Sequence, residues 1–294
     1  AVSQDHAVST EPFLADQIEV LRGPSTLLYG SGAIGGVVNM VTHTIPKEAP
    51  EVPVSGRAIA QLDSASDQRF GGARLDFGTD SFAFHANAFY RSTDDYEIPG
   101  EAELYPEEES YEAHDDHEEE SHGGVLENSF LDNNGGAFGG AWFGENWQGG
   151  IALTTYNSEY GVPGHNHHHH DEDEHEEERE EHEEEAFVFI DLESDRWDAE
   201  LIGRNPFAGF EQLRFKAAGI DYTHTEFEGD EVGTVFDSET FDSRLELRHE
   251  PWGAASGAFG LQYSNVDFAA EGEEAFMPDT ETATSALFWI EHFE

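Results

Sequence analysis

Seven imidazoles and twelve carboxylates fall within the 21 residues from His165 to Glu185, with a single arginine, Arg179, among them. The histidines are His165, His167, His168, His169, His170, His175 and His182. So little apolar surface is present that the run cannot build a packed core, and its chemistry must be surface chemistry. Neutral imidazole nitrogen and carboxylate oxygen are the donors of divalent transition ions, zinc first in a chain without thiolates. A second run, Glu101 to His122, carries eleven acids with His114, His117 and His122, so ten of the sixteen histidines lie in two segments. Either run alone reads equally as a solvated acidic loop; their repetition favours capture of an ion. The His165–His170 cluster is internal and follows Tyr160-Gly-Val-Pro-Gly164, which is not where an affinity tag belongs. A helix over Glu174 to Glu185 would align His175 with His182, but like charges at i,i+4 repel, and a segment without regular structure until metal arrives is expected.

The 294 residues carry a net charge of −51, which repels nucleic acid and anionic membranes alike and leaves cations as natural partners. Cysteine is absent, so no disulfide, thiolate zinc site or thiol nucleophile is available. The two methionines argue weakly against a soft Cu(I) site. No carboxylate pair sits in an apolar setting that would tune a catalytic pKa, and no Ser/His/Asp spacing stands out, so an enzyme is not expected.

These loops need strands to hold them. From Val54 onward, runs of about ten residues rich in aromatic and β-branched types alternate with turn signals. Ten strands are predicted, at 54–64, 68–78, 81–93, 134–144, 147–158, 186–202, 212–226, 239–250, 255–269 and 282–293. The separators alternate between short turns, such as Gly78 to Ser81 and Gly144 to Trp147, and long connections at 94–133, 159–185, 227–238 and 270–281. In an antiparallel meander every second connection lies at one end, so all the long acidic segments share a rim. That is the layout of an outer-membrane barrel, with no apolar run of about 18 residues required. Period two supports it: Leu245 and Leu247 share one face, and Asp242, Arg244, Glu246 and Arg248 the other. The 212–226 strand changes phase between Phe215 and Ile220, and a bulge is predicted there. A soluble β-sandwich is the competing fold. The start at Ala1 and the stop at Glu294 within a strand-like run read as an internal fragment.

Residues 1–50 differ in kind. Gln17 to Pro24 reads as a short strand, Ser25 to Tyr29 as a brief helical turn, Gly30 to Gly36 as a glycine loop, and Val37 to Thr42 as a second strand. No Gly-Lys-Ser/Thr follows the loop, so it does not bind phosphate in the P-loop manner. Taken whole, Ile18-Glu-Val-Leu-Arg-Gly-Pro-Ser-Thr-Leu-Leu-Tyr-Gly-Ser-Gly-Ala-Ile-Gly-Gly-Val-Val-Asn-Met-Val-Thr42 resembles the end of the plug domain of TonB-dependent outer-membrane receptors. The resemblance implies an all-β transmembrane antiparallel barrel, part of a 22-stranded one. Residues 1–49 would close the plug and 50–294 would form the first part of the barrel, with extracellular loops at 94–133 and 159–185. It also implies a monomer in outer-membrane lipid of a bacterial cell, energised by the TonB-ExbB-ExbD complex.

Within that family Ser3-Gln-Asp-His-Ala7, Tyr160-Gly-Val-Pro-Gly-His165 and Asp221-Tyr-Thr-His-Thr-Glu-Phe-Glu-Gly-Asp-Glu231 are similar to the zinc-uptake receptors. The likeness implies zinc ligation at the plug apex by Asp5 and His6, with a partner on the wall. Glu246 is the wall candidate by its parity, with His249 and His224 weaker; a lone glutamate or histidine on a strand is more often a structural residue. The expected function is two-stage: flexible loops concentrate the ion, then a site between plug and wall passes it inward. Copper, nickel or a metal chelate remain alternatives on donor type, as does a surface metal-binding or adhesion protein.

Overall fold

The structure, a computed structural model, describes residues 10–23, 33, 35–100, 124–166, 187–272, 275 and 277–293. A one-turn 3-10 helix at Pro12–Leu14 opens it, with Glu11 as its N-cap. Strands β1 (Ala15–Leu21) and β2 (Val37–Thr42) then pair antiparallel as a separate two-stranded sheet. The predicted strands on either side of the glycine loop are therefore present. The turn expected at Ser25 to Tyr29 lies outside the described residues.

The ten predicted strands are all present and form one antiparallel sheet in simple meander order. They are β3 (Val54–Asp63), β4 (Gln68–Gly78), β5 (Phe82–Thr93), β8 (Leu131–Phe143), β9 (Trp147–Asn166), β10 (Phe187–Arg204), β11 (Phe210–Glu228), β12 (Glu231–His249), β13 (Ala255–Gly272) and β14 (Thr280–Phe293). Between β5 and β8 sits a two-residue ribbon, β6 (Tyr96–Glu97) with β7 (Val125–Leu126), which the sequence reading placed inside a loop. No described helix is long and apolar enough to cross a membrane, and crossing by strands does not require one. The architecture is a ten-stranded antiparallel wall with the N-terminal helical turn and the β1–β2 sheet laid against it.

Several boundaries move. The connection expected at 227–238 is strand, with β11 and β12 running on to a tight turn at Gly229 and Asp230. Gly229 takes φ +58, the left-handed conformation a two-residue hairpin turn requires. Likewise β9 continues to Asn166 and β13 to Gly272, at the expense of the predicted loops. The bulge expected inside 212–226 is not there; register shifts fall at the two ends of β11, between Phe210 and Gln212 and between Glu226 and Phe227.

The cause of the phase change in β11 is an inversion of which face is apolar. Low on the wall, Leu201, Phe215, Leu245, Leu261 and Leu287 stand directly opposite one another on five consecutive strands, all on the outer face. All but Leu245 are prominently exposed. Six residues further up the same strands, the outer face carries Asp195, Asp221, Glu239, Asp267 and Glu281, again in one cross-strand row. At about 3.3 Å per residue the two rows are about 20 Å apart along the strands. A lipid band about 25 Å tall would end where the carboxylates begin. Above it the apolar residues turn inward: Val188, Ile190 and Leu192 are fully buried on the inner face and pack with Tyr156, Tyr160, Phe70 and Phe89. Unbroken alternation with a change of environment thus mimics a bulge in the sequence.

The plug-side chain needs space, and glycine supplies it. A side chain at Gly139 would collide with the carbonyl oxygen of Thr44, and one at Gly150 would meet the Ile45 side chain at 2.5 Å. Gly139 and Gly150 therefore line a groove for the chain between β2 and β3. Gly139→Val is expected to push residues 44–45 off the wall, read out as new protease cleavage near Thr44 in the full-length protein, with Gly149→Val as a control outside the groove.

Candidate functional site

The inner face is identified by what touches the plug-side residues. Glu11 is buried and held bidentately by Arg91 of β5, Nη2 to Oε1 at 2.9 Å and Nε to Oε2 at 3.1 Å. Arg91 also donates to Gln68 at 2.6 Å and lies 4.5 Å above the Phe70 ring. Phe13 packs edge-on against Phe70 with centroids 5.6 Å apart and occupies the space above Gly72.

A second junction joins β1 and β2 to β4 and β5. Arg74 donates to Asp16 at 2.8 Å and its Nε lies 3.8 Å from Asp76. Asp76 meets His85 Nδ1 at 2.6 Å, while His43, just past β2, places Nδ1 3.3 Å from Asp16. The His43 and His85 rings face each other edge-on at 5.6 Å. Burial works against the Asp16 carboxylate, but the Arg74 hydrogen bond and the charges of Arg74, His43 and His85 outweigh it and hold its pKa below the ordinary value. A depressed carboxylate stabilises the fold above its unfolded pKa of about 3.9 and loses that contribution as pH falls through the lower folded value. Sequence reasoning missed this junction. Asp16, His43, Asp76 and His85 are scattered over 70 residues, and only the register brings them together.

Of the wall candidates, Glu246 lies on the inner face: cross-strand pairing links it through Arg214 to Ile202, on the same side of β10 as Leu192 and Ile190. Its carboxylate accepts from Arg244 at 3.3 Å, and Arg244 lies 4.2 Å above the Phe288 ring. His224 is buried on that face near the top of β11, with its Nδ1 3.1 Å from the Tyr222 hydroxyl and its ring 4.9 Å from Phe236. His249 is not brought to Glu246. Odd parity puts it with Leu245 and Leu247 on the outer face, stacked on Trp252 at 3.9 Å. Both its nitrogens are engaged, Nδ1 with the Glu250 carbonyl at 2.7 Å and Nε2 with Glu291 at 2.9 Å. It serves as a clasp on the short-turn rim. Asp5, His6, His114, His117, His122, His167, His168, His169, His170, His175 and His182 lie outside the described residues, and His165 falls within β9. Among the described residues no group of three or more His, Asp or Glu could hold a metal ion.

The family model "TonB-dependent Receptor Plug Domain" matches residues 2–37, the stretch that leads into the wall. Residues 2–37 are thus similar to the plug domain of TonB-dependent receptors. Two hemin receptors, from Yersinia enterocolitica and Yersinia pestis, are each 37% identical over 68 residues. Those matches cover 23% of this chain and 10% of each relative, so only a small part of either relative's length is spanned. The probable TonB-dependent siderophore receptor PirA of Acinetobacter baumannii is 58% identical over 33 residues, 11% of this chain and 4% of that protein. Among solved structures, BauA, the ferric preacinetobactin receptor of Acinetobacter baumannii, aligns with TM-score 0.49 at 13% identity, covering 95% of this chain and 50% of BauA. The chain thus joins a segment similar to the end of a plug domain to a ten-stranded antiparallel sheet, and it spans only about half the length of BauA.

Proposed function

We propose that the receptor captures a divalent metal ion, zinc first, through its two histidine- and acid-rich extracellular segments and passes it through the plugged barrel. Energy would come from the TonB-ExbB-ExbD complex, and Asp5, His6 and Glu246 would be ligands on the way. The observation that supports this reading is the register: Thr93 pairs with Leu131, and Asn166 with Phe187, so the strand ends flanking both segments belong to one rim. Donors from the two segments are thereby delivered to one mouth, and a net charge of −51 supplies the attracting field. Glu246 is salt-bridged to Arg244, so an ion reaching it must displace the guanidinium. That suits a site filled only in passing.

The similarity to hemin and siderophore receptors favours a second reading, an iron chelate as cargo. Cells bearing the full-length receptor decide between them by accumulation of labelled zinc or of an iron chelate, with copper and nickel in parallel. Removal of residues 167–185 is expected to lower zinc uptake at limiting zinc by about tenfold or more, because a focusing field raises arrival rates by about 10–10³-fold. Asp5→Ala with His6→Ala is expected to abolish uptake. Capture should fade below about pH 6, since a ligating imidazole must be neutral. Iron-chelate uptake without zinc uptake would replace the zinc reading with the second one.

A further inference from the structure

We propose that the outer face of β8 to β13 binds a lipid whose headgroup carries an ammonium, its charge held between a shelf of carboxylates and a layer of aromatic rings and its tail in an apolar groove down the wall. The shelf is Asp195, Asp221, Glu239 and Asp267, one from each of four neighbouring strands and directly opposite one another. All four are exposed, and they border a groove of about 810 Å³. The lower side of that groove is apolar. Phe138, Leu153 and Trp197 stand in the next outward row, with Phe241 beyond Gly219. A side chain at Gly219 would collide with the Trp197 indole, so glycine lets that ring lie across β11 towards Phe241, with centroids 6.1 Å apart. Trp197 is two residues from Asp195 on the same face, about 7 Å along the strand. A cation at this level meets carboxylate above it and aromatic faces below.

Two observations select the ligand's charge and its kind. Every lysine and arginine of β8 to β14 shares the inner-face parity of Ile190 and Glu246: Arg196, Arg204, Arg214, Lys216, Arg244 and Arg248. The outer carboxylates therefore have no cationic side chain of those strands on their own face, and a positive ligand complements them. A bare metal ion suits the place poorly. Calcium takes about six to eight oxygen ligands, and among the described residues no three acids or histidines are grouped to hold a metal. Carboxylates spread along a row give a broad negative field, and the indole and phenyl faces attract an organic ammonium. Below the rings the wall continues the site. A second groove, of about 540 Å³, runs between Phe84, Ile151 and Leu201 over Gly140 and Gly149, all outward positions without charge. From the shelf to Leu201 is about 20 Å along the strand, room for most of an extended acyl chain.

The tail's place in hydrocarbon rests on the reading of the wall as membrane-spanning. The full-length receptor is reconstituted in bilayers of phosphatidylethanolamine and phosphatidylglycerol in equal amounts with the same acyl chains, then stripped with detergent, and the retained lipids are counted by mass. Phosphatidylethanolamine is expected to be retained over phosphatidylglycerol by about tenfold, within reach of one well-placed cation–π contact. The preference should vanish when Asp195→Asn, Asp221→Asn and Glu239→Gln are combined, and fall in Trp197→Leu. It should persist in Glu281→Gln, at the far end of the row and outside the groove. Equal retention of the two lipids by an inserted receptor overturns this inference alone. Retention of phosphatidylglycerol that requires calcium and is lost with a chelator also overturns it, because the shelf would then hold metal-bridged phosphate. A receptor that enters neither bilayer overturns the membrane-spanning reading and this inference with it.

Discussion

Arg91→Ala is expected to destabilise the docking of the plug-side segment by about 3–5 kcal/mol, the usual consequence of leaving one partner of a buried ion pair alone. Glu11 has no compensation from water, since only 1% of its surface is exposed. Its two oxygens are taken by the Arg91 fork, and one also accepts from the Phe13 amide at 3.1 Å, so the same carboxylate caps the helical turn and grips the wall. Loss of the guanidinium strands the charge, opens the space over Phe70, and frees the Phe13 anchor above Gly72. The measurement is protease sensitivity of residues 10–45 in the folded full-length receptor, together with denaturant unfolding. Glu11→Met combined with Arg91→Met removes both charges and should recover most of the loss, because a well-packed apolar pair often equals a buried ion pair. Undiminished protection in Arg91→Ala would show that the glycine groove alone holds the segment.

The second large effect lies on the outer face. Leu245→Arg places a cation in the middle of the apolar row formed with Leu201, Phe215, Leu261 and Leu287, and is expected to cost about 2–4 kcal/mol in lipid. Glu239→Arg, six residues away on the same face, should cost nothing and can stabilise, because it relieves repulsion from Asp221 and Asp267 directly opposite. Unfolding of full-length receptor variants in vesicles distinguishes the two. Equal penalties at both positions would mean that the carboxylate row lies inside the hydrocarbon and that the band has been placed too low.

The strand count, the meander and the common rim of the long connections were legible because period two and turn residues are local properties of the chain. Strand ends were not. The sequence reading ended strands where outward apolar residues stopped, yet β9, β11 and β12 continue above the lipid with their polarity reversed, so Glu228 and Glu231 read as loop while pairing as strand. Leu213 and Phe215 face out at lipid height, and Ile220 and Tyr222 face in above it, with no interruption of the β10–β11 ladder between them. Parity placed Glu246 on the inner face and, applied to His249, would have excluded it from the same site. The seam at His43 and His85 could not be read at all, since its members share no motif and meet only through pairing of β4 with β5 and docking of β1 and β2.

The two-residue turn at Gly229 and Asp230 joins strands whose last paired residues are Glu228 and Glu231. With the long connections facing outward, as proposed above, β11 and β12 would leave the hydrocarbon near Asp221 and Glu239, and about seven further residues of each strand would stand in the external medium as a stiff ribbon capped by that turn. A short foreign epitope spliced between Gly229 and Asp230 would be carried at its tip, clear of the cell surface and open to antibody on intact cells.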